Sequence, residues 1–147
     1  MATEDIYGNK KRFERFMNQL DNQIIPPSGK DLKKYYIKNP INKKYFIKLA
    51  KIFEVRDNAY IRRMRLIKQL QTVCTFTDKD ISKLEREDIN DIVAIMQTRL
   101  NTVHSKKDFI KDLKFIWRQL FPELDERKRI DETITPYVVR HLRNKVE

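Results

Sequence analysis

Glycine is almost missing: only Gly8 and Gly29 occur in 147 residues. A sheet protein of this size turns its hairpins at positive-φ positions that glycine fills most readily, so two glycines argue for helices instead. Cysteine occurs once, at Cys74, which excludes an internal disulfide and any zinc site built on cysteines. Long apolar runs are lacking too. The longest, IVAIM at 92–96, is far short of a bilayer span, and the N-terminal MATEDIYGNKKR has no apolar core of the signal-peptide kind. A soluble, cytoplasmic chain with no membrane partner is expected. Catalytic signatures are also missing, with no Gly-rich phosphate loop, no HExxH and no GxSxG. The two histidines, His104 and His141, have no partner at metal-ligand spacing, so neither a metal nor a cofactor is expected.

Positive charge is abundant. The chain carries 32 Lys and Arg against 21 Asp and Glu, a formal net charge of +11. The excess is concentrated in residues 1–70, where 17 cations face 7 acids; residues 71–147 hold 15 against 14. A local excess of this kind attracts polyanions and raises their on-rate, which favours nucleic acid over a membrane surface or an acidic protein. Charged residues make up 36 % of the chain. The apolar residues nevertheless recur at helical spacing, so the chain is expected to fold.

That spacing predicts a helix over 9–19, with Phe13, Phe16, Met17 and Leu20 on one face. Pro26-Pro27 ends what precedes it, and Ser28 can cap a short helix over 30–38 holding Leu32, Tyr35 and Tyr36, a stretch that reads equally as a linker with a helical tendency. Asn39-Pro40 restarts the chain as cap and first turn of a helix to about residue 54, with Ile41, Tyr45, Leu49 and Ile52 as its stripe and Phe46 and Phe53 beside it. A helix over 58–73 is expected to bury Tyr60, Ile61, Met64, Ile67 and Leu70. Residues 75–85 read as a loop anchored by Phe76, Ile81 and Leu84. Helix 86–100 follows, with Ile89, Ile92, Val93 and Met96 inside and Glu87 and Asp88 at its positive end. After a turn at 101–105, with Ser105 as N-cap, helix 106–120 buries Phe109, Ile110, Leu113, Ile116, Trp117 and Leu120. The fold class is all-α. The organisation expected is a basic N-terminal extension and linker (1–39), a compact helical domain (40–121) and a tail (122–147) with a weak helix around 137–145.

The sharpest surface feature lies on helix 106–120. Lys107, Lys111, Lys114 and Arg118 stand at i, i+4, i+7 and i+11, a spacing that keeps all four on one face. The apolar set Phe109, Leu113, Ile116 and Leu120 has the same spacing two residues later, about 200° round the axis. Like charges in a row repel, and a phosphate backbone removes that cost. A solvated face partly neutralised by Asp108 and Asp112 is the plainer alternative. A second set is Arg62, Arg63 and Arg65, with Lys68 a turn later; arginine suits phosphates and guanine edges because its fork makes two parallel hydrogen bonds. Lys44, Lys48 and Lys51 repeat the pattern on the preceding helix. Lysine is less selective, so Lys44 and Lys48 are expected to touch only the backbone of DNA. The acids Asp78, Asp80, Glu85, Glu87, Asp88 and Asp91 invite a two-metal nuclease, but helix-start acids and a solvated loop explain them more simply.

Three phrases carry a resemblance: NAYIRRMRLIKQL, then KLEREDINDIV, then SKKDFIKDLKFIWRQLF. Their order resembles the SAM-like core-binding domain of tyrosine recombinases (phage-type integrases), and KKRFERFMNQL resembles the basic leader of archaeal members. One departure is Glu85, where the family has a threonine cap. The resemblance implies an orthogonal cluster of four to five helices, with an N-terminal helical extension, that grips duplex DNA. It implies DNA contacts from Arg62, Arg63, Arg65, Lys106, Lys107, Lys111 and Lys114. It also implies a partner, the catalytic domain of the same recombinase, which holds the tyrosine nucleophile, and protomer contacts on DNA. RHLR at 140–143 has its histidine and arginine two apart rather than three, so Tyr137 is no candidate nucleophile. The expected function is a non-catalytic, nucleoid-associated duplex-DNA-binding module of a site-specific recombinase. The rival from another class is a helical adaptor whose basic face docks an acidic protein.

Overall fold

The computed structural model of the chain describes residues 8–24 and 36–122. Among these residues the fold is all-α, with five α-helices, three short 3-10 turns and no strand. The helix expected at 30–38 falls mostly, and the one around 137–145 wholly, outside the described residues. The chain divides into two compact units, one ending at Asp78 and the other beginning at Lys79. That boundary lies inside the 40–121 stretch expected as one domain.

The first unit holds α1 (Asn9–Asn18), α2 (Lys43–Arg56) and α3 (Tyr60–Phe76). Helix α1 begins after Gly8, whose φ of 68° is free of strain only without a Cβ. Helices α1 and α2 both pack on α3. Phe13 meets the rings of Phe53 and Tyr60 edge-on at 6.2 and 6.0 Å, and Phe16 meets Phe46 at 6.3 Å. Each fully buried aromatic of this kind is worth about 1.5–3 kcal/mol over its exposed state. Helix α1, expected as part of an appendage, thus supplies Phe13, Phe16 and Leu20 to this core.

The segment from Tyr36 to Asn42 is sewn onto its neighbours by backbone bonds. Ile37 N–H donates to the Gln23 carbonyl at 2.7 Å, and Lys38 N–H to the Cys74 carbonyl at 3.1 Å. Asn39 caps as expected, accepting from Ile41 N–H at 2.9 Å, while its amide donates to the Asp78 carbonyl. Residues Pro40–Asn42 form a 3-10 turn rather than the first turn of α2. Three residues per turn breaks the phase of the α-helical stripe, so Ile41, expected inside, is exposed. Asp57, at φ 53°, ends α2, and Asn58 N–H closes on the Phe53 carbonyl.

Helix α3 runs three residues past its expected end at 73. Thr72 and Thr75 return their hydroxyls to the carbonyls of Lys68 and Gln71, which lets polar residues stay buried in the last turns. Cys74 is buried as expected, and burial pushes its thiol pKa up. Ile61, expected inside, is 62 % exposed because it shares the outer face with Arg65 and Lys68.

In the second unit a 3-10 turn at Ile81–Lys83, capped by Asp80, precedes α4 (Arg86–Arg99) and α5 (Val103–Leu120). Glu85 makes a full capping box with Asp88, a reciprocal pair that satisfies two backbone donors. The N-cap of α5 is Thr102, not Ser105: the Thr102 hydroxyl accepts from Ser105 N–H at 3.0 Å, and the helix starts three residues early.

Asp88 is held ionised by the Glu85 backbone N–H and by Lys79 at 2.9 Å, which lower its pKa. This contribution to stability is complete above the ordinary carboxylate range and is lost as pH falls below that range, through the lowered pKa of the folded state. Asp88→Ala is expected to cost about 1 kcal/mol at neutral pH and less in acid, read from urea melts at neutral pH and below the ordinary carboxylate range.

Candidate nucleic-acid interface

Helix α5 owes its two-sidedness to simple alternation at helical spacing. Phe109, Ile110, Leu113, Ile116, Trp117 and Leu120 are buried, as the spacing predicts. On the far side Lys107, Lys111 and Arg118 are exposed and Lys114 is half-buried. At 100° per residue these four fall within an arc of about 60°, and they span about 17 Å of helix. Asp112 does not join them. It is 2 % exposed and turned inward, which leaves Asp108 at the edge of the stripe as the nearer acid on this helix.

Two corrections follow from the same geometry. Lys106 lies about 100° from Lys107, toward the buried side. It is half-buried and does not extend the stripe. His104, expected in a turn, is instead on the helix because α5 starts at Val103. It is exposed on the same face, one turn before Lys107, and lengthens the stripe to about 21 Å. The signal that would have placed it is Thr102, a capping residue three positions before Ser105.

The arginine run on α3 separates by helical angle. Arg65 and Lys68 are exposed and Arg62 is half-buried beside them. Lys68 leans its ammonium over the Phe16 ring at 5.0 Å, still exposed. Arg63 points the other way. It is 6 % exposed, its Nε donates to the Asn58 carbonyl at 2.7 Å, and its guanidinium lies over the Tyr60 ring at 4.1 Å. It fastens the turn between α2 and α3 and, contrary to expectation, is too deeply buried to meet DNA. On α2, Lys44 and Lys48 are exposed, with the Lys44 ammonium 5.2 Å from the Tyr45 ring.

The acidic stretch is organised by capping. Asp80 accepts from Ser82, and Asp88 serves Glu85 and Lys79. Among the described residues no group of three His, Cys, Asp or Glu is placed to hold a metal ion, and no helix is long and apolar enough to cross a membrane.

Fold and surface together define an all-α, strongly basic chain with a one-sided cationic helix in its second unit. Compared with protein-family models, curated proteins and solved structures, the chain matches none.

Proposed function

We propose that this chain is a non-catalytic, duplex-DNA-binding module, and that α5 is its principal contact with the phosphate backbone. The observation that carries this reading is the outward file of Lys107, Lys111 and Arg118, all exposed, with half-buried Lys114 among them, opposite a buried face that is apolar apart from Asp112. Cations in one line displace condensed counterions from the duplex, and their release supplies the affinity. Arg65, with Arg62 beside it, adds guanidinium forks that can take phosphates or guanine edges. The file is straight and lacks an alternating row of exposed aromatics, which suits a duplex rather than a stacked single strand.

The resemblance to core-binding domains of tyrosine recombinases supports the same reading. In such an enzyme the module clamps the recombination site while a separate catalytic domain of the same chain transfers strands, and the protein works at the nucleoid.

A set of three variants tests the geometry. Lys111→Ala is expected to lower the slope of log affinity against log salt by about one unit. Lys106→Ala is expected to leave that slope unchanged, because its side chain sits off the file. Arg63→Met is expected to leave the slope unchanged while destabilising the first unit by about 2 kcal/mol, through the lost charged hydrogen bond. Equal slopes for Lys111→Ala and the unaltered chain would reject α5 as the contact.

A further inference from the structure

Two exposed helix faces lie apart from the α5 file, and they match each other. On α2 the outward residues are Lys44, Lys48, Lys51 and Val55; on α4 they are Glu87, Asp91, Ala94 and Thr98, all exposed. Both sets stand at i, i+4, i+7 and i+11 on helices of 14 residues, so each forms one straight stripe. Laid parallel, Lys44 meets Glu87 and Lys48 meets Asp91. The third position pairs Lys51 with Ala94, and here no partner charge is needed, since Lys51 already bonds Glu54 at 2.9 Å. Ala94 has the smallest side chain on its face and lets the helices approach. The antiparallel alignment keeps only one ion pair and sets Val55 against Glu87.

The α2 face also carries apolar side chains that a polyphosphate would leave wet. Ile47 is 53 % and Val55 76 % exposed. A helix laid along this face covers both. The acidic complement occurs on the same chain, at the same spacing and equally exposed, so the occupant that fits is a second copy.

We infer that α2 of one copy docks against α4 of another, head to tail. The two faces differ, so the contact is heterologous: each copy keeps one face open, and copies can add in rows or close into rings. A single helix-on-helix contact falls short of the roughly 1,000 Å² that a stable interface buries, so association is weak in dilute solution and grows with concentration. The inference stands apart from the DNA reading, and it reassigns Lys44 and Lys48 from phosphates to carboxylates.

A carbodiimide, which joins an ammonium directly to a carboxylate, tests it on the full chain. Equal amounts of nitrogen-14 and nitrogen-15 protein are cross-linked over a concentration series and the joined peptides are identified by mass. The expected result is mixed-label peptides joining Lys44 or Lys48 to Glu87 or Asp91, rising with concentration. Lys48→Glu alone, or Asp91→Lys alone, lowers their yield about five-fold or more, and mixing the two variants restores assembly. Circular dichroism of each variant, expected to be unchanged, confirms that the fold is kept. Links confined to a single label, no links between these residues, or mixed-label links that both variants leave unchanged overturn the inference.

Discussion

A chain with glutamine in place of Lys107, Lys111, Lys114 and Arg118 should keep its fold and lose most of its hold on duplex DNA. The expected loss is at least about 100-fold at roughly 50 mM salt, because four released counterions no longer contribute. The same variant should lose far less stability than affinity, melting within about 1 kcal/mol of the unaltered chain, as changes outside caps and core usually do. Here they also remove repulsion along one helix face. Binding is read by fluorescence anisotropy of a labelled duplex, and stability by urea denaturation followed by circular dichroism. The contrast between the two readouts matters. Loss of both would mean that the four side chains support the fold, and loss of neither would place the DNA contact elsewhere.

The second large effect concerns the first unit. Phe53→Ala is expected to destabilise it by about 3–5 kcal/mol. Phe53 is fully buried on α2 and meets Phe13 of α1 edge-on, so its removal leaves a void at the point where the three helices converge. Helix α1 should loosen with it, since Phe13 then keeps one of its two ring partners, Tyr60. Amide hydrogen exchange would report this as faster exchange through α1. Unchanged exchange there would show that α1 is held by Phe16 and Leu20 without Phe13.

Much of this arrangement is legible in the sequence because it depends on period alone. Each buried residue expected on helix 106–120 is buried, and the cationic file opposite follows from the same 3.6-residue repeat. What period cannot supply is phase. Arg62, Arg63 and Arg65 read as one basic cluster, yet steps of 100° send Arg63 inward while its neighbours stay at the surface. Ile41 misleads for a related reason, since a 3-10 turn before α2 shifts its phase. Start points escape as well. Ser105 and Thr102 are both good caps, and choosing between them moves His104 from a turn to the cationic face. Glu85 looks like a weak N-cap until Asp88 is seen returning the hydrogen bond. The division after Asp78 has neither glycine nor proline beside it, and only the fall in net charge beyond residue 70 and the loop read at 75–85 hint at it.

The dependence of duplex affinity on salt tests the central claim most directly, because it counts displaced counterions without knowing the target sequence. With four phosphate contacts on α5, log affinity should fall linearly with log salt at a slope of about −3.6 or steeper. A slope shallower than about −1 would leave room for no more than one such contact and would contradict the account.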